Sequence, residues 1–152
     1  MATFELNTEG YWLDNNRDYM PNYSGIYFVC RGIYNTAPNT FDVNELLYIG
    51  KSEQEGGIRG RLANHEKRPQ FQAACLENES ICYACAELDE ASLDIVENAL
   101  VYAEQPILND HLKDHFNYDE AIVKIGGNNV GLEHPWLFVK NDDIADIEEV
   151  DE

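Results

Sequence analysis

The chain has 152 residues, is 44% hydrophobic and 11% aromatic, and carries a formal net charge of −19. That is enough apolar matter for one globular core, while so negative a surface repels nucleic acid, anionic membranes and other polyanions at long range. No run of 18 apolar residues occurs and the N-terminus lacks the order of a secretion signal, so no membrane span is expected and a cytoplasmic protein is the default.

In chain order, residues 25–31 (GIYFVCR) and 46–50 (LLYIG) have the near-continuous apolar character of strands covered on both faces. The turn-rich TAPNTFDVN between them predicts a long-looped hairpin. From Ile58 the pattern IRGRLANHEK is helical, with Ile58 and Leu62 one turn apart and Pro69 ending it. Arg61 and His65, at i and i+4, would then leave one side of that helix together; a guanidinium fork and an imidazole beside Lys51 suit a phosphodiester. Residues 80–88 (SICYACAEL) read as a third strand and 92–105 as a second helix, with Ser92 or Asp89 as cap and Pro106 as stop. Beyond Asn109, His111 and His115 fit a surface helix, followed by a short strand at AIVKI, a Gly-Gly-Asn-Asn turn and a closing segment at PWLFV. The predicted class is α+β: a small mixed or antiparallel three-stranded central sheet flanked by helices. One domain spans residues 1–140, with a core at 24–110 and a C-terminal extension at 111–140.

Charge and cysteines add constraints. Seven acids and no base fall in the last twelve residues, which reads as a solvated acidic tail over 141–152. Five of the ten Lys and Arg lie between Lys51 and Arg68 against three acids, Glu53, Glu55 and Glu66, making that stretch the one local region suited to phosphate. The cysteines at 30, 75, 82 and 85 sit among apolar residues, as core-packed reduced thiols do. Cys82-Tyr-Ala-Cys85 lies in a strand and lacks the turn and second ligand pair of a zinc site.

The second helix holds a misfit. At about 100° per residue, Leu93, Val96, Leu100 and Val101 share one arc, and Glu97 falls inside it. Burying an unpaired carboxylate costs several kcal/mol, so Glu97 must neutralise, pair with a base or hold a cation. Glu104 shares the arc but sits near the helix end, where its long side chain is expected to reach water.

Taken together, GIY at 25, YIGKS at 48, IRGRLANH at 58 and ENALVYAEQPILN at 97–109 resemble the GIY-YIG nuclease family in order and spacing, across residues 24 to 110. The resemblance implies a catalytic set of Tyr27, Tyr48, Arg61, His65 and Glu97. It further implies Gly50 for close backbone approach, and Lys51, Arg59 and Asn109 as phosphate or substrate contacts. GIY also occurs at residues 32–34. Tyr27 is followed by strand-like FVC, whereas Tyr34 runs into NTAPNT with its Pro38, so Tyr27 is the candidate. The residues between Tyr27 and Tyr48 outnumber the family's usual spacing and make an enlarged first hairpin.

What the resemblance implies is a metal-dependent endonuclease acting on DNA, with RNA chemically open. Glu97 would bind one Mg²⁺ or Mn²⁺, Tyr27 would serve as general base with relay through His65 or Tyr48, and Arg61 would stabilise the phosphate in the transition state. A local excess of two positive charges offers few phosphate contacts, so specificity is expected from a homodimer, a partner subunit or the extension. The rival reading is a catalytically silent protein-binding or DNA-mimicking module that docks its acidic surface to a basic partner.

Overall fold

The computed structural model describes residues 2–53 and 55–141 and the backbone of 143–146; most of the acidic run expected to form a tail lies outside these residues. Period-two alternation of Phe4, Leu6 and Thr8 begins the first strand, β1 (Ala2–Leu13), with Leu6 and Thr8 turned inward. A 3-10 turn (Asp14–Tyr19) leads to β2 (Gly25–Asn35) and β3 (Thr40–Ser52). Next come α1 (Gly57–Ala63), α2 (Arg68–Ala74), β4 (Ser80–Glu87) and α3 (Glu90–Glu104), then β5 (Glu120–Gly127), β6 (Trp136–Lys140) and a short terminal β7 (Asp143–Asp146). Among the described residues no helix is long and apolar enough to cross a membrane.

The expected three-stranded sheet is wrong. Among the described residues the strands form one mixed sheet in the order β3-β2-β4-β1-β5-β6-β7, curled into a half-barrel. The cause is β1, which changes partner along its length. Glu9–Leu13 pairs antiparallel with β4, while Ala2–Thr8 pairs parallel with β5. The edge of β4 that would have closed a three-stranded sheet is thereby continued. Gly10, at φ +149°, sits where the partner changes and the register with β4 slips; its lack of a side chain suits both the bend and the approach of Ala84.

Three local expectations also change. The hairpin is long-armed and short-looped: Ile33, Tyr34 and Asn35 extend β2, and Phe41 and Thr40 pair with Tyr34 and Asn35 across the turn. β-branched and aromatic residues on both arms favour pairing, and Asn39 closes the turn at φ 57°. Pro69 starts a helix instead of ending one, because it falls in the first turn of α2, where the missing N–H has no intrahelical partner anyway. His111 and His115 are not on a helix: Asn98, 1% exposed, donates to the carbonyls of Leu112 and His115 and accepts from the Asn117 N–H, holding that segment in an irregular path.

Two cores result. On one face of the sheet α3 buries Leu93, Val96, Leu100 and Val101 against Ile26, Phe28 and Ile49 and against Val123 and Leu137 from the far strands. On the other, α1 and α2 cover Tyr27, Val29, Leu47 and Tyr83 with Ile58, Leu62 and Phe71. Cys82 and Cys85, three apart on β4, point into opposite cores and all four cysteines are free, so that pair cannot share an ion. Glu104 does not reach water. Its side chain is 2% exposed and accepts from the N–H groups of Glu133 and His134, both at 2.7 Å, tying the end of α3 to the β5–β6 connection.

The edge strand β3 is closed by a side chain. Asn109 accepts from the Ile49 N–H and donates to the Ile49 carbonyl, both at 2.9 Å, while the Leu108 N–H bonds the Leu47 carbonyl. Asn109→Ala leaves both buried Ile49 groups unpaired and is expected to cost about 2–4 kcal/mol, read as a lower denaturant midpoint at unchanged slope. A loss below about 0.5 kcal/mol would show that these bonds do not hold the edge.

Candidate functional site

The site is built around a buried phenol. Tyr27 leaves β2 toward the α1–α2 face, is 1% exposed, and pairs in register with Gly50 on β3. A Cβ at position 50 would lie 2.3 Å from Tyr27 Cζ and Oη. The expectation that Gly50 admits a close backbone approach therefore takes a specific form: the space it leaves is filled by the Tyr27 ring.

α1 ends at Ala63 and Asn64 is non-helical, so His65 turns inward instead of leaving the helix beside Arg61. The ring is 4% exposed and its Nε2 lies 2.8 Å from Tyr27 Oη. The Lys67 backbone N–H donates to Nδ1 at 3.1 Å. Burial, then the charge of Arg61, lower the imidazole pKa to about 4, so at neutral pH the ring is uncharged. With Nδ1 accepting, its one proton sits on Nε2 and is donated to Tyr27 Oη. Both nitrogens are thus engaged, and in this arrangement the ring offers no free lone pair to the Tyr27 proton. Tyr48 stacks on Tyr27 at 6.2 Å, and His65 meets both rings edge-on at 5.7 and 5.2 Å. Phe71 closes the underside at 5.1 Å from the imidazole.

Above this aromatic floor opens a cleft of about 620 Å³ lined by Tyr27, Tyr48, Lys51, Arg61 and Glu97, with Glu53, Glu55 and the glycines at the start of α1 on its rim. Five of the named candidates converge here from β2, β3, α1 and α3. Others do not. His65 lies behind the floor, Asn109 is spent on Ile49, and Arg59 donates from Nε to the Met20 carbonyl at 2.7 Å. Tyr34 sits at the far end of the hairpin, donating to Asn39 Oδ1.

The electrostatics of the cleft are contested. Lys51 pairs with Asp94 at 2.9 Å and Arg61 with Glu66 at 3.0 Å. Both acids are about two-thirds exposed, at 69% and 68%. The Arg61 hydrogen bond lowers Glu66 to about 2. Glu53 and Glu55 add two further acids to the rim. The sequence count of three acids among five bases announced this balance but not the pairing, because Asp94 and Lys51 are 43 positions apart. Burial raises Glu97 to about 7; Lys51 and Arg61 pull it down and Asp94 pushes it up. No hydrogen bond or ion pair to the Glu97 carboxylate is found among the described residues. Burial likewise pushes Tyr27 well above the ordinary phenol range, with Arg61 the main opposing influence.

These residues discriminate between cations. Among the described residues no three His, Cys, Asp or Glu side chains cluster, so a tetrahedral zinc site or an all-protein calcium cage does not fit. A single carboxylate without a hydrogen-bonded partner in a polar cleft does fit Mg²⁺ or Mn²⁺, since Mg²⁺ keeps several waters and takes one or two carboxylates plus substrate phosphate oxygens. No family model, curated protein or solved structure matches the chain.

Proposed function

We propose that this cleft binds a DNA phosphodiester and hydrolyses it with Mg²⁺ or Mn²⁺ held on Glu97. The observation that carries the reading is convergence: a buried phenol, a guanidinium and an unpaired carboxylate from three separate elements line one hollow. The resemblance of the same residues to the GIY-YIG nucleases supports it.

Bound on Glu97, the cation supplies positive charge to the scissile phosphate and the leaving oxygen. The residues supply the rest. Arg61 can exchange its exposed Glu66 partner for a phosphate at little cost, because an exposed ion pair contributes at most about 1 kcal/mol, and its fork matches two non-bridging oxygens. The His65 Nε2–H occupies one lone pair of Tyr27 Oη, leaving the Tyr27 proton to point at the cleft and favouring the phenolate when that proton departs. In the metal-free protein burial outweighs this donor and Arg61 together, so Tyr27 is a phenol there. It acts as a base only where further positive charge reaches the cleft.

The test is incubation with supercoiled, branched and single-stranded DNA at low salt, with and without Mn²⁺. Tyr27→Phe keeps the ring beside Gly50 and removes only the hydroxyl. Wild type is expected to cut with metal, and Tyr27→Phe to cut about 100-fold more slowly or worse, with an unchanged circular dichroism spectrum. Undiminished cutting by the variant overturns the role of Tyr27. No cutting of any substrate overturns the enzyme reading. A second reading, docking of a basic polypeptide, is favoured by one observation: both cleft cations already hold acids. It gains only if wild type cuts nothing and captures a basic polypeptide in a salt-sensitive way.

A further inference from the structure

The opposite end of the molecule carries a second hollow of about 570 Å³, between β1, the tip of the β2–β3 hairpin and the 128–129 turn. It is lined by three aromatic rings, Tyr11, Tyr34 and Phe41, and three carboxamides, Asn16, Asn39 and Asn128. No charged side chain among the described residues lines it, in a chain of net charge −19. Tyr34 lies seven positions beyond Tyr27 along β2, roughly 20 Å at strand rise. Tyr11, Tyr34 and Phe41 belong to the α3-side core and Tyr27 to the other. The hollow is therefore no part of the cleft.

Its walls are held by their own bonds. Tyr11 and Phe41 rings lie 5.7 Å apart at 45°. Tyr11 Oη donates to the Asn129 carbonyl at 2.6 Å, and Asn128 Nδ2 donates to the Gly10 carbonyl at 2.5 Å, so the turn is tied to β1. Tyr34 donates to Asn39 Oδ1 at 2.8 Å. The Asn39 backbone N–H is spent on the Thr36 carbonyl, whereas its Nδ2 donors and the exposed Asn16 carboxamide have no protein partner among the described residues. A preformed hollow with aromatic faces and a few unspent carboxamides takes a flat, uncharged ring whose edge carries a donor and an acceptor together. Carboxamides match the hydrogen-bonding edges of nucleobases, adenine above all, and aromatic side chains stack on their faces. A phosphate would find no cation there.

We propose that this hollow is a binding site for an uncharged nucleobase or nucleoside. The proposal is independent of the cleft's chemistry. The test is titration of the full chain with adenosine, guanosine, cytidine and uridine, followed by saturation-transfer NMR and tyrosine fluorescence, with glucose and maltose as comparators. At least one nucleoside is expected to bind, and its 5′-monophosphate more weakly. Tyr34→Ala is expected to weaken binding at least tenfold, because stacking on one aromatic ring is worth about that much, and to leave plasmid cleavage unchanged. Asn39→Gly keeps the left-handed turn at φ 57° while removing the carboxamide, and is expected to level the affinities of the four nucleosides. Absence of nucleoside binding, equal binding by a folded Tyr34→Ala, or binding of the saccharides in place of nucleosides overturns the proposal.

Discussion

Glu97→Gln is expected to abolish metal-dependent cleavage and, at the same time, to make the protein more stable above pH 7. Both effects come from one carboxylate held where it is poorly solvated. Its folded pKa is about 7 against an ordinary 4.5, with burial the largest cause. A group raised on folding binds its proton more tightly in the native state. Its contribution is therefore fully present below the unfolded value near 4.5 and is lost as pH rises through about 7. Across that window the wild type loses at most about 3 kcal/mol from this group, at 1.36 kcal/mol per unit; water in the cleft reduces this to about 1–2 kcal/mol. Glutamine has the same shape and does not ionise, so the loss does not occur. The variant should melt roughly 3–6 °C above wild type at pH 8 and close to it at pH 4.5. Cation affinity runs the opposite way, because the ion needs the carboxylate charged: Mn²⁺ binding by wild type should strengthen from pH 6 to pH 8. Thermal melts at the two pH values and a Mn²⁺ titration decide the matter. A melting difference that does not change with pH, or full cleavage by the variant, would refute the assignment. Stability given up for a charge in a cleft is a pattern of functional sites.

Gly50→Ala is the second large effect expected. The new Cβ would sit 2.3 Å from Tyr27 Cζ and Oη and 2.8 Å from Cε1. Tyr27 cannot yield, being 1% exposed, stacked on Tyr48 and bonded to His65. Overpacking of this kind costs about 1–3 kcal/mol, and displacing the ring breaks the His65 bond as well, so a loss of about 3 kcal/mol is expected together with loss of cleavage. The cause is shown by a double-mutant cycle. In a Tyr27→Ala background the space is empty and the methyl added by Gly50→Ala should cost little, giving a coupling of at least about 2 kcal/mol. Additive losses in urea melts would mean that Gly50 serves its own backbone and not the Tyr27 ring.

Much of this arrangement is local in origin, and local patterns are what a sequence displays. The continuous apolar runs at GIYFVCR and SICYACAE became β2 and β4, and the 3.6-residue period of LDIVENALVYAE became α3 with Glu97 on its inward side. The second GIY misled because clustered turn formers after Tyr34 suggested a loop. Ile33 and Tyr34 instead found partners in Asp42 and Phe41 across a tight turn. His65 misled in a different way: i, i+4 spacing places it beside Arg61 only if the helix continues, and α1 stops at Ala63.

Composition and periodicity by themselves determined where β2, β4, α3 and the inner half of β3 would form, that a carboxylate would be drawn inward on α3, and that half of the chain's bases crowd into one short stretch. Tertiary structure alone decided the sheet order, since β1 meets β4 with one half and β5 with the other, and nothing in a strand's own residues names its neighbour. It also decided that Asn109 seals an edge, that His65 donates to Tyr27, and that Lys51 and Arg61 each hold an acid. The physical reason is the same in each case. Periodicity is set by neighbours a few bonds away, whereas pairing, proton position and desolvation are set by groups that only folding brings within 3 Å of one another.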